Sequence, residues 1–128
     1  MKQGMDKGRQ ETIEIKVTED MFASFEGEVV HPVYSTVAMV YHMEWVSRKI
    51  ILPFLEEHEE GMGGAVSLKH VSPSPLGSKV ILTATLTEHV RGKVITDVKA
   101  YNEQGLIGKG EVTQIILPKE VIVEKGMV

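Results

Sequence analysis

Residues 36–54 constrain this chain more than any other segment. Ser35 or Thr36 offers a helix N-cap, and the run that follows, TVAMVYHMEWVSRKIILPF, holds no glycine and no proline before Pro53. With side chains set at about 100° intervals around the axis, apolar residues occupy almost the whole circumference. Only Ala38, His42, Lys49 and Glu56 mark out a narrow exposed stripe. A helix that is apolar nearly all round is predicted to be buried, with other structure wrapped around it.

Strands supply that wrapping. TIEIKVT (12–18) alternates, with Ile13, Ile15 and Val17 on one face. Residues 19–34 read as irregular, and His31-Pro32 marks a turn or an extended entry to the helix. Pro53 kinks or closes the helix near Phe54. The acidic run Glu56 to Glu60 ends at Gly61, and GMGG (61–64) is expected to be a flexible or tightly turned connection. Strands are then predicted over 64–72, 79–90, 93–101 and 106–117. They are separated by the turn cluster PSPLGS (73–78), by the hairpin signal Arg91-Gly92, and by a turn from Asn102 to Gly105. Short turns imply antiparallel neighbours. The expected fold is therefore α+β, a hot-dog fold, in which a long central helix is wrapped by a curved antiparallel sheet of about five strands. An open edge on such a sheet favours pairing with a second copy, so a homodimer is expected, with assembly of dimers into a tetramer left open.

No repeat or linker divides the chain. Residues 1–10 (MKQGMDKGRQ) are expected to be a flexible lead-in and 11–128 a single domain. A hydrophobic fraction of 42% beside 25% charged residues describes a soluble globular protein. A formal net charge of -4, without a long run of one sign, argues against nucleic acid as a partner. The absence of cysteine removes disulfides, thiolate metal sites, iron–sulfur clusters and thiol nucleophiles. The histidines lack metal-ligand spacing, so no metal is expected. Glu44, Arg48 and Lys49 interrupt the longest apolar stretch, and the first ten residues are polar. No membrane span and no secretory signal are therefore expected, and the cytoplasm is the default location.

Three polar residues stand out. Glu44 falls on the wheel among Val37, Val40, Ile51 and Leu55, where an ionised carboxylate is costly unless paired. It is either a salt-bridged or water-reaching residue at the helix edge, or a general base or nucleophile in a cleft. His70 shares the face of Val66 and Leu68, which should point toward the helix. Alone it reads as a satisfied core histidine; beside a buried glutamate it suits acid/base work. Thr36 reads first as the N-cap. It lies eight residues from Glu44, about 12 Å along a helix axis. A site using both needs a bent entry or two subunits. Gly61, Gly63 and Gly64 match no phosphate-loop spacing; they fit a turn, or close backbone approach to a ligand.

The stretches STVAMVYHMEW (35–45), GMGGAVSLKHVSPSPLG (61–77) and RGKVITDVKAYNEQGLIGKGEV (91–112) together resemble the fluoroacetyl-CoA thioesterase-like family of hot-dog proteins. The similarity runs over residues 12–117. In that family a Thr at the start of the helix, a Glu eight residues on and a His twenty-six residues further form the catalytic group; the matching positions here are Thr36, Glu44 and His70. His70 also opens an H-x-x-x-x-P-x-G pattern ending at Gly77. The resemblance implies an acyl-CoA thioesterase that releases a free acid and CoA from a small thioester at a dimer interface. CoA is then part of the substrate, and no separate cofactor is implied. Glu44 would attack the carbonyl or activate water, His70 would move a proton or help the thiolate leave, and Thr36 would hydrogen-bond the Glu or the substrate. Gly63, with Gly64 beside it, is expected next to the thioester, its backbone N–H aimed at the developing oxyanion. One position departs: where the family often carries Arg in a G-x-x-x-R setting, Gln114 follows Gly110. That exchange bears on substrate contacts more than on the fold. A non-catalytic module that binds or senses acyl-CoA is the alternative. A hydratase or dehydratase finds little support, since His31-Pro32 is all that answers to its motif. The acyl group, and CoA against acyl carrier protein as its carrier, stay open.

Overall fold

Ser35 starts the central helix. Its backbone is extended and its hydroxyl accepts a hydrogen bond from the Ala38 N–H at 3.0 Å, so the helix α1 spans Thr36–Ile51. The computed structural model describes residues 1–126. Arg48 and Lys49 occupy the last turn of α1, where cations complement the helix dipole. Pro53 follows in a 3₁₀ turn over Leu52–Phe54; its ring cannot share space with the carbonyl one turn back, so the α-helix stops there.

Five strands surround one side of α1. They are β1 (Gln10–Lys16), β4 (Glu59–His70), β5 (Lys79–Val90), β6 (Lys93–Asn102) and β7 (Gly105–Pro118), arranged β1-β5-β6-β7-β4 with every pair antiparallel. Val90 pairs with Lys93 across Arg91-Gly92, whose φ angles of 52° and 78° make the two-residue turn that matches the strand twist. The core lies between sheet and helix. Met39, Met43, Val46 and Ile50 recur at helical spacing and meet Val80, Leu82, Ala84 and Leu86, which alternate along β5. Fully burying a side chain of this kind contributes roughly 1.5–3 kcal/mol. Ser47 sits in this apolar layer because its polar groups are matched: Thr96 donates to its hydroxyl at 2.7 Å, and Gln114 Nε2 donates to its carbonyl at 3.0 Å. This is the hot-dog arrangement expected from the sequence.

Several details differ from expectation. Residues 19–34 hold a 3₁₀ turn (Glu19–Met21) and a two-stranded ribbon of β2 (Phe22–Phe25) and β3 (Glu28–Tyr34), rather than irregular chain. Most of its residues are exposed, so no core-facing alternation signalled it; Pro32 is tolerated because a ribbon strand has a free edge. GMGG is not a turn. It lies inside β4, with Gly64 the extra residue of a bulge against β7. The leading segment is packed: Met5 is buried, Lys2 N–H donates to the Phe54 carbonyl at 2.7 Å, and Arg9 Nε donates to the Ile50 carbonyl at 3.0 Å. Arg9 thereby satisfies the end of α1 while its guanidinium lies 5.2 Å from the Phe54 ring centroid. A short helix α2, Lys119–Gly126, follows β7. Among the described residues, no helix is long and apolar enough to cross a membrane.

The exposed stripe of α1 also lies elsewhere. His42 is buried, 4% exposed, whereas Val37, Tyr41, Trp45 and Leu52 are 77%, 63%, 44% and 46% exposed. The helix is apolar nearly all round, as read, but one apolar face of it is left uncovered by the chain's own sheet.

Candidate active site

Because Ser35 caps the helix, the Thr36 hydroxyl is free for another partner. It lies 3.0 Å from His70 Nδ1, at the far end of β4. The backbone beyond His70 is pinned by Val71 N–H to the Ile107 carbonyl at 2.7 Å, which sets the imidazole against the start of α1. The edge of His70 meets the Tyr34 ring with centroids 6.1 Å apart at 71°. Burial pushes the His70 imidazole below its usual range, an effect partly offset by the nearby Ser72 backbone, and favours its neutral form. Its other nitrogen, Nε2, is the one buried side-chain polar atom among the described residues that has no hydrogen-bond partner. A buried polar group left this way asks for a partner the chain does not itself provide.

Glu44 is exposed rather than buried, and it faces β4. A Cβ on Gly63 would come within 2.9 Å of Glu44 Oε1. The missing side chain at Gly63 is what lets the carboxylate lie against the strand. Arg48, one turn along, is held by Glu60 at 2.8 Å, and Glu44 has no salt-bridge partner among the described residues. Gly64 is exposed beside Gly63 on the open edge of the sheet. Gln114 pairs with Gly63 in register, but its side chain points inward: it is 5% exposed and bound to the Ser47 carbonyl. Its amide nitrogen therefore anchors β7 to α1 one layer beneath Gly63, while Oε1 lies toward Gly61, where a Cβ would come within 3.7 Å of it.

The structure thus makes two pairs, Thr36 with His70 and Glu44 with Gly63. Within one chain it does not bring the pairs together, since eight residues of α1 separate Thr36 from Glu44. Two hollows adjoin the first pair. One of about 260 Å³ is lined by Thr36, His70, Val71 and Pro73. The other, about 720 Å³, runs under the β2–β3 ribbon and is lined by Phe22, Phe25, Thr36, Val37, Tyr41 and His42. Thr36 borders both.

Tyr34 and His42 were not singled out in the sequence. The Tyr34 hydroxyl lies 2.7 Å from His42 Nδ1, and the two rings stack with centroids 5.7 Å apart at 18°. Burial raises the Tyr34 phenol and lowers the His42 imidazole, so both are neutral near pH 7. Tyr34 is the residue before the cap and His42 lies two turns on, but nothing in that spacing distinguishes the pair from an aromatic core contact.

A family model described as fluoroacetyl-CoA-specific thioesterase matches residues 17–120. The fluoroacetyl-CoA thioesterase of Streptantibioticus cattleyicolor is 32% identical over 78 residues, 61% of this chain and 56% of that protein, so the match takes in little more than half of that relative's length. Among solved structures, a Thermus thermophilus hypothetical protein described as a thioesterase superfamily member superposes with a TM-score of 0.94 at 42% identity, covering 98% of this chain and 93% of that one. The fluoroacetyl-CoA thioesterase FlK superposes with a TM-score of 0.89 at 27% identity, over 97% of this chain and 96% of that one.

Proposed function

The chain belongs to the fluoroacetyl-CoA-specific thioesterase family, and we propose that it hydrolyses a small acyl-CoA thioester to the free acid and CoA at a site shared between two copies. The carrying observation is His70 Nε2, a buried nitrogen without a partner beside Thr36. With the Thr36 hydroxyl donating to Nδ1, Nε2 bears the proton and offers it to the thioester. Glu44, unpaired and seated on Gly63, takes a proton from water as the water oxygen bonds to the carbonyl carbon; in the alternative it adds to that carbon itself, and after the thiolate leaves water cleaves the resulting anhydride to free acid and carboxylate. The C–S bond then breaks, and the thiolate leaves hydrogen-bonded to His70. Backbone N–H groups of β4 near Gly63 and Gly64 face the developing oxyanion. CoA enters as part of the substrate, and this scheme uses no metal or further cofactor.

A second copy supplies what one chain lacks. β4 is an edge strand with an unpaired rim, and the apolar stripe of Val37, Tyr41 and Trp45 is exposed beside it. Antiparallel pairing of two β4 strands about an axis between Val66 and Ser67 would set Gly63 of one copy opposite His70 of the other. Glu44 would then meet the Thr36–His70 pair across the interface.

The test is release of CoA from short acyl-CoA esters by the wild type and by Glu44→Ala. A fall of at least about a hundredfold is expected for loss of a base or nucleophile. Equal rates would overturn the assignment of Glu44. Tight acyl-CoA binding without CoA release would favour a binding module instead.

A further inference from the structure

The Tyr34–His42 pair has no part in the hydrolytic scheme, yet His42 lines the larger hollow while Tyr34 lines the smaller one. Its protons are fixed by elimination. Tyr34 is 1% exposed, and its hydroxyl has a single partner, His42 Nδ1 at 2.7 Å. Were Nδ1 to carry the ring proton, the phenolic O–H would be left buried without an acceptor, at a cost of about 1–3 kcal/mol. The O–H therefore donates to Nδ1, and the neutral imidazole carries its proton on Nε2. Nε2 bonds to no protein group among the described residues, and it is not among the enclosed polar atoms without a partner. With Nδ1 taken by Tyr34, Nε2 is the ring nitrogen left for the hollow that His42 lines together with Thr36, Val37 and Tyr41. The result is an oriented N–H donor beside the Thr36 hydroxyl that reaches His70, in a wall made mostly apolar by Phe22, Phe25 and Val37, which Asp20, Ser24, His31 and Ser35 also line.

We propose that His42, held by Tyr34, is a specificity-determining residue whose Nε2–H donates to an oxygen carried on the acyl group. The favoured substrates are then short acyl thioesters bearing a hydroxyl or carbonyl on the chain, over plain alkyl ones. This rests on the acyl-thioester reading above and on the larger hollow receiving the acyl group. An alkyl group there would leave the N–H facing carbon, whereas an oxygen restores its hydrogen bond. Sites built on a placed donor discriminate in this manner.

Glycolyl-CoA and propionyl-CoA test the inference, because they differ by hydroxyl for methyl at the same position. The ratio of their kcat/KM values is measured for the wild type, His42→Leu, His42→Gln and Tyr34→Phe. A fall of roughly tenfold in the ratio is expected for His42→Leu, the value of one hydrogen bond to a buried donor. His42→Gln, which keeps an N–H donor, should restore most of it, and Tyr34→Phe, which releases the tautomer, should lower it by a few-fold. An unchanged ratio in both His42→Leu and Tyr34→Phe overturns the inference, as does an equal loss on both esters with no recovery in His42→Gln. If the wild type releases CoA from neither ester, the hydrolase reading fails. The same ratio is then taken from dissociation constants by calorimetry, where equal wild-type affinity for the two esters overturns the inference as well.

Discussion

At the level of single residues, the wheel gave part of one stripe of α1 the wrong direction. Val37 and Glu44 look outward from the chain and Val40 is half-buried, whereas Ile51, which the wheel set on the same face, is fully buried. The same rotation took His42 from solvent into the interior. A wheel reports which side chains neighbour one another; it does not report which side the sheet covers when both sides are apolar. Burial of neutral His42 and His70 carries a stability consequence. Both imidazoles lie below their ordinary value of 6.5, and desolvation is the first cause for each. Below that pH the unfolded chain binds protons that the folded chain resists, so stability rises with pH in this window. The stabilisation is present above about 6.5 and is lost as pH falls from there through the folded values. Urea unfolding between pH 7.5 and 5 should show that decline, and His42→Leu should flatten it. A wild-type stability that stays level over this range would contradict neutral burial of the two rings.

At the level of elements, the boundary of α1 gives two adjacent hydroxyls different partners. Sequence left the cap to Ser35 or Thr36, since either side chain suits it. The extended backbone and the Ala38 bond assign it to Ser35, and Thr36 turns to His70 instead. Ser35→Ala should therefore cost about 1 kcal/mol of stability, read as a lower Tm, with Thr36 and His70 still paired. Thr36→Ala should leave Tm nearly unchanged and lower kcat, because His70 Nδ1 loses its partner. The reverse pattern would return the cap to Thr36. The strands of the five-stranded sheet were legible because their core faces alternate cleanly, as in β5. The ribbon β2–β3 was not, because an exposed ribbon has no buried face to alternate. The start of β4 was hidden for another reason. Gly61 and Gly63 carry the composition of a turn, but they are there for close approach: side chains would strike Ile51 at the first and Glu44 at the second.

At the level of the whole molecule, the two residue pairs are chemically complementary and spatially separate. Thr36 and His70 mark one end of the open β4 edge, while Glu44 and Gly63 mark another stretch of it. The proposed two-fold axis across that edge would use one patch twice, completing two equivalent sites at once and covering the apolar stripe of α1. This arrangement makes a prediction that a site within one chain does not. Glu44→Ala and His70→Ala are each expected to be inactive alone. Unfolded together in equal amounts and refolded, they should assort at random, so that half the dimers are mixed. In a mixed dimer, one site combines both lesions and the other draws an intact Glu44 from one copy and an intact His70 from the other. Activity should therefore return to roughly a quarter of the wild-type level per chain. If Glu44 and His70 of the same chain served one site, every site would carry a lesion and the mixture would stay silent. A silent mixture whose mixed dimers are verified by native mass spectrometry would thus place the whole site in one chain. A recovered quarter would identify the β4 edge as the line along which the catalytic group is assembled.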